Sequence, residues 1–241
     1  CLAEMVTMEQ RGFIGGRSMI ANLVDVDEAI LLAAASNDSA FGLFYDFKAA
    51  FPSIEHLILL LYFRALGWPL WVCRIISCLY ARNFCHISLG GAMHMGFVVT
   101  RGIRQGCLLS PLLFAVVSEL ILRRLKRSIP HSVRRSYADD LAMVIHNGSH
   151  LQTLAGIFDE FACISGLYLN IGKTVIVPLF PYLLFEVRER IARAAPQWTG
   201  VAVQAHATYL GYFLGPAKGE QSWAAPLENT PFEPQLGDER G

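Results

Sequence analysis

The sequence predicts an α+β fold, an antiparallel sheet packed on helices. Three observations carry that expectation. Apolar residues recur at helical spacing in some windows and cluster in short β-rich runs in others. Two pairs of these runs flank tight-turn dipeptides, Gly90-Gly91 and Asp139-Asp140, which marks hairpins rather than crossovers. Of the 241 residues, 54% are hydrophobic and 17% charged, enough to build a sizeable core and too apolar for global disorder.

The elements follow in order. Ser18 can cap a helix through 35, with Ile20, Leu23, Val24, Ala29 and Ile30 on its apolar side. Residues 41–46 (FGLFYD) are strand-like. Ser53 suits the N-cap of a helix to 66, which Gly67 and Pro69 stop. A second helix covers 70–82. Strands at 84–89 and 93–100 flank the Gly-Gly turn. A long helix covers 109–127: Pro111 fits its first turn, and Arg123, Arg124, Lys126 and Arg127 suit the negative end of its dipole. Strands at 133–138 and 141–146 flank the acidic turn. Ser149 starts a helix to 165, strands follow near 175–179 and 207–213, and a helix near 182–195 lies between them. From Gly215 the chain is rich in Gly, Pro and acids, which reads as a disordered tail.

Lys+Arg and Asp+Glu are each 20, so net charge is 0 and overall charge gives no grip on nucleic acid. A local grip is available at 123–135, where Arg123, Arg124, Lys126, Arg127, Arg134 and Arg135 occur without an acid; a solvated helix end is the equal alternative. The six cysteines form no CxxC pair, so they read mostly as small buried hydrophobes in a reducing compartment, which leaves the localisation open between nucleus and cytoplasm. The apolar runs at 57–63 and 107–122 fall short of the roughly 20 residues of a membrane span and read as buried helix.

Two adjacent carboxylates between apolar strands, in Tyr137-Ala138-Asp139-Asp140, repel each other and lose hydration unless a cation is near. Asp46 likewise ends a strand. If the two strands pair, Asp46 and Asp139 come within reach of one divalent ion. Asp-Asp is also an ordinary hairpin turn, and taken alone that reading is the better one. Context adds Arg101, Gly102, Arg104, Gln105 and Gly106, which gather cations, amides and pliable backbone just before a helix.

In order, GFIGGRS (12–18), FYDFKAAFPSI (44–54), RGIRQGCLLSPLLF (101–114), YADD (137–140), GLYLNIGKT (166–174) and YLGYFL (209–214) resemble the successive motifs of reverse transcriptases, most of all those of non-LTR retrotransposons. The resemblance implies a right-hand polymerase palm and RNA-directed DNA synthesis: a primer 3′-hydroxyl attacks the α-phosphate of a deoxynucleotide. It assigns Asp46 and Asp139 to two Mg²⁺ ions (Mn²⁺ as a substitute), with Asp140 completing the acidic site. Phe51 corresponds to an aromatic that blocks a ribose 2′-hydroxyl, though a core Phe is the plain alternative. Arg101, Gly102, Gln105 and Gly106 fall in the loop against nucleotide and template. Lys173 matches a lysine near the pyrophosphate, though any single loop Lys is by default solvated. Tyr209, Leu210 and Gly211 match the primer-grip hairpin, which can equally be a buried strand. The implied partners are an RNA template, a DNA primer and dNTPs, with no membrane.

The implied domains are partial fingers and a lead-in helix at 1–40, palm at 41–214 and the tail at 215–241, a palm cut at both ends with its thumb missing. The alternative function is a catalytically inactive remnant acting at most as a nucleic-acid-binding or structural domain.

Overall fold

A computed structural model describes residues 6–36, 39–216 and 219. The tail expected at 215–241 lies almost wholly outside the described residues. The central sheet runs in the order β4 (Val133–Tyr137), β5 (Asp140–Ile145), β1 (Phe41–Tyr45), β6 (Val175–Pro178), β7 (Ala202–Val203). Its pairings are antiparallel except the last: Val175 and Ile176 run parallel to Ala202 and Val203, a short edge strand that the sequence reading missed.

The sheet is buried on both faces, so β1 alternates in what it meets rather than in polarity. Phe41, Leu43 and Tyr45 join Leu141, Met143, Ile145 and Ile176 in a core with α5 (Ser110–Ser128) and α6 (His150–Ser165). Phe44 joins Ala142, Val144 and Val177 under α1 (Met19–Ala35) and the hairpin of β8 (Ala207–Tyr209) and β9 (Tyr212–Leu214). Ser18 caps α1 as expected, its Oγ accepting from the Ile20 N–H. The buried face of α1 differs from expectation: Ile20 and Val24 are exposed, while Asn22, Val26 and Ala33 are buried. Asn22 donates to the Ser136 carbonyl at 2.9 Å and to the Tyr209 hydroxyl at 3.3 Å, which turns the helix toward β4.

Between β1 and α5 lie α2 (Ala50–Ser53), α3 (His56–Ala65), α4 (Leu70–Tyr80) and the hairpin of β2 (Phe84–Leu89) with β3 (Ala92–Val98). Ser53 does not cap a helix. Pro52 sits inside the short α2, and the extended Ile54 breaks the chain so that Glu55 takes the N-cap place of α3. After α6 come α7 (Leu184–Ala194) and a 3₁₀ turn, Pro196–Trp198. The run at 57–63 falls in α3 and residues 110–122 of the other run in α5, and no helix among the described residues is long and apolar enough to cross a membrane.

Residues 6–17 are tied into the same unit. Arg17 donates to the carbonyls of Val6, Thr7 and Gln10. Thr7 donates through its N–H and its hydroxyl to buried Glu119, whose carboxyl burial pushes up against those bonds and the Arg123 charge. The basic run at 123–135 is not an open patch. Arg123 pairs with Glu119, Arg124 with Glu160, Lys126 and Arg134 with Glu9, and Arg135 with Asp25, so acids distant in sequence neutralise most of it.

Candidate active site

The acidic residues gather at one end of the central sheet. In the β1–β5 register Tyr45 faces Leu141, so one further step sets Asp46 across from Asp140. Tyr137 faces Asp140 in the β4–β5 pair, which leaves Ala138 and Asp139 as a two-residue turn beside them. Asp140 registers the crowding. Partial desolvation, then the charges of Asp139 and Asp46, push its carboxyl up to about 6, although it stands at the surface. No ion pair among the described residues involves any of the three aspartates. Nor do three or more His, Cys, Asp or Glu side chains among the described residues close into a ready metal cage.

Asp46 is sewn to the turn that carries Lys173. The Asn170 N–H donates to the Asp46 carbonyl at 2.8 Å, and the Asp46 N–H reaches the Thr174 hydroxyl at 3.5 Å. The Lys173 N–H closes the turn on the Asn170 carbonyl at 3.0 Å, and the Lys173 side chain is exposed.

Phe51 and the 101–106 loop form a second group. The Ile103 N–H donates to the Phe51 carbonyl and the Gly102 N–H to the Ile54 carbonyl, both at 2.8 Å. Gly102 has φ +96°, and a Cβ there would crowd the Pro52 carbonyl. The Phe51 ring is half-buried, stacked on Phe114 at 4.7 Å and meeting the edge of Phe13 at 6.2 Å, so its position is fixed by aromatic packing. The Arg101 guanidinium is paired with Glu55 at 2.5 Å. Gln105 and Gly106 are exposed.

Leu210 and Gly211 make the two-residue turn between β8 and β9, both at positive φ. Tyr209 points inward: it is buried, and its hydroxyl donates to the Arg135 carbonyl at 3.1 Å while accepting from Asn22. Its phenol is pushed well up by burial, then by the Asp140 charge. The buried-strand alternative therefore describes Tyr209, while in the turn Leu210 packs partly against the core and Gly211 is exposed.

The sequence reading passed over Gln10, which is 0% exposed and bonds to the Ala138 backbone beside Asp139. A lone Gln ahead of an Arg-Gly pair has no periodicity or spacing to reveal it.

A profile described as "Reverse transcriptase (RNA-dependent DNA polymerase)" matches residues 2–214, nearly the whole chain. The chain belongs to the reverse transcriptase family. The Pol polyprotein of the type-2 retrotransposable element R2DM of Drosophila melanogaster is 29% identical over 174 residues, which are 70% of this chain and 16% of that protein. An uncharacterised 149 kDa protein of transposon TX1 from Xenopus laevis is 23% identical over 182 residues, 72% of this chain and 14% of its own length. The chain thus spans about a sixth of these relatives, and they bear out the non-LTR type expected from the motifs. Among solved structures, apo telomerase from Candida tropicalis, truncated from its C-terminal domain, matches with TM-score 0.61. That match covers 86% of this reverse transcriptase chain and 39% of the telomerase chain at 12% identity, a likeness of fold alone. It bears out the α+β palm, with its sheet packed on helices.

Proposed function

We propose that this reverse transcriptase chain carries the nucleotidyl-transfer site of an RNA-directed DNA polymerase, extending a primer 3′-hydroxyl with dNTPs on an RNA template. One observation carries the reading: Asp46, one residue past β1, lies across from Asp140 at the start of β5, with Asp139 in the adjoining turn, and the Asp140 carboxyl is raised by partial desolvation and then by the charges of the other two. Such crowding costs stability in isolation and suits a site that holds divalent cations.

The donor set fits Mg²⁺, a hard ion that takes one or two carboxylates and fills its remaining positions with water and phosphate oxygens, so a complete protein cage is not needed. Two such ions, when bound, neutralise phosphate charge and favour the deprotonated primer hydroxyl. Asp46 and Asp139 are the residues to hold them, with Asp140 alongside. Lys173, on the turn bonded to Asp46, is proposed to offer charge or a proton to the departing pyrophosphate. Phe51, stacked on Phe114 and meeting Phe13 edge-on, supports steric exclusion of a 2′-hydroxyl, because a ring whose position is set by packing yields less to a larger sugar. Gly102, Gln105 and Gly106 lie on the loop beside it and are proposed to meet nucleotide and template. The pairing of Arg101 with Glu55 makes Arg101 first a support of that loop. Leu210 and Gly211 are proposed to meet the primer end, with Tyr209 as their buried anchor. Residues 41–214 are proposed as the palm.

The test is extension of oligo(dT) on poly(rA) with Mg²⁺ and dTTP. Incorporation is expected to vanish on chelation. It should fall on the order of 10³-fold in Asp139→Asn and in Asp46→Asn, because metal ions supply several kcal/mol of charge stabilisation and each 1.36 kcal/mol is about tenfold. Equal incorporation by the parent and Asp139→Asn would remove the reading.

A further inference from the structure

We infer that Gln10 is a positioning residue for the acidic turn, setting where Asp139 and Asp140 point by clamping the backbone of Ala138. The inference rests on the metal-site reading above for its consequence and on the geometry of Gln10 for its cause.

Ala138 is the first residue of the two-residue turn and has φ +56°, a region in which an L-residue with a Cβ is strained by roughly 1–2 kcal/mol. Hairpin turns usually place Gly, Asn or Asp there, and Ala has no preference of its own for it. The strain is held from outside the hairpin. The side chain of Gln10 meets both polar groups of the Ala138 backbone: Oε1 accepts the Ala138 N–H at 3.1 Å, and Nε2 donates to the Ala138 carbonyl at 3.1 Å. One planar amide thus grips both ends of the one residue whose conformation aims Asp139.

The grip is itself fixed. Oε1 also accepts from the Gly12 N–H at 2.8 Å, so both its lone-pair sites are used. Nε2 also reaches the hydroxyls of Ser118 at 3.0 Å and Ser136 at 3.1 Å. Donors face the oxygen and acceptors face the nitrogen, so a flipped amide would leave buried groups unpaired. The backbone locks the residue as well. Gln10 pairs with Ser136 in a single parallel bridge, with the Arg11 N–H donating to the Ser136 carbonyl and the Ser136 N–H to the Glu9 carbonyl, both at 2.8 Å. Gly12 closes the arrangement, because a Cβ there would collide with the Ala138 nitrogen.

The Gln10 side chain is 0% exposed, and none of its atoms reaches an aspartate carboxylate. Its role is therefore to act through the turn. Losing a group that orients metal-binding side chains commonly costs on the order of 10–100-fold in metal affinity.

The test uses the 241-residue chain and Mn²⁺ alone as the probe, followed by the paramagnetic signal of the free ion. In the parent, the Ala138 amide is expected to exchange slowly with solvent, because Gln10 Oε1 is its acceptor. Exchange at the rate of an open turn amide overturns the inference whether or not any variant folds. Gln10→Met keeps the volume and removes every side-chain bond of the clamp. It should raise the half-saturating Mn²⁺ concentration by about tenfold or more while retaining a cooperative thermal melt. Adding Ala138→Gly, which relieves the strain at positive φ, should move binding back toward the parent, a rescue that a purely packing role for Gln10 does not predict. Asp139→Asn separates the two readings. If it weakens Mn²⁺ binding and Gln10→Met does not, Gln10 has no positioning role and the metal site stands. If Asp139→Asn binds as the parent does, the metal reading falls, and Ala138 exchange alone decides Gln10.

Discussion

The central strand pair β1–β5 and the outlying hairpin β2–β3 are both antiparallel, both apolar, and opposite in what their side chains meet. Every residue of β1 is buried, with helices or a hairpin on each face of the sheet. In β2–β3, Phe84, Ile87, Leu89, Met93, Met95, Phe97 and Val98 are all exposed. Among the described residues the hairpin's backbone ties lie at its base, from Val99 N–H to the Asn83 carbonyl and from Thr100 and Gly102 to His56 and Ile54. An apolar strand is thus not a buried strand. Burial depends on whether later elements arrive to cover it, and a two-stranded ribbon alone gains little from its own side chains.

The largest effect that could break this contrast is a truncation in each region. Leu122 is 2% exposed within the core under β1, and Leu122→Ala should lower the free energy of unfolding by about 3–4 kcal/mol. Phe97 is 63% exposed, and Phe97→Ala should change it by less than about 0.5 kcal/mol. Urea unfolding of the two variants measures both, and similar losses would mean that the hairpin is packed after all. Amide exchange sharpens the same contrast. The amides of β1 and β5 should open only with the whole domain, and those of β2 and β3 by local opening some kcal/mol below it. Equal protection in the two pairs would refute the contrast.

The sequence displayed the palm better than its supports, for a physical reason. Strands β1, β4 and β5 were legible because a strand's residue types and its turn are local signals, and the pairing of FGLFY with the strand after YADD brought Asp46 to the acidic turn. What stayed hidden was set by partners far along the chain. Ile20 and Val24 look like core by spacing, yet α1 is rotated by Asn22 reaching Ser136 and Tyr209. The basic run near the end of α5 looks like a phosphate patch, yet Glu9, Asp25 and Glu160 neutralise much of it from other elements. Ser53 has the side chain of a helix cap, but the break at Ile54, where Gly102 bonds the carbonyl, hands that place to Glu55. Gln10 belongs with these, because a buried amide is visible only once the groups that it satisfies have been brought to it.

The smallest effect concerns the end of the central sheet where charge is crowded rather than paired. Burial and the charges of Asp139 and Asp46 lift the folded-state carboxyl of Asp140 to about 6, above the roughly 3.9 of an unfolded Asp. Between those values the native state binds more protons than the unfolded one, so this group's contribution makes stability fall as pH rises from about 4 to about 6, and the loss persists above. Asp140→Asn removes the charge at every pH. In the metal-free chain the variant should match the parent near pH 3.5 and exceed it by about 1 kcal/mol at pH 7.5, a figure well below the full shift because solvent screens an exposed carboxylate. Millimolar Mg²⁺ should narrow the gap at pH 7.5, since a cation at the aspartates offsets in the parent the repulsion that Asn removes in the variant. Denaturant unfolding at the two pH values, with and without Mg²⁺, reads all four corners. A gap that is the same at both pH values would show that the three carboxylates do not share one place, and with it would go the contrast between an end of the sheet where charge is crowded and a hairpin whose apolar side chains are exposed.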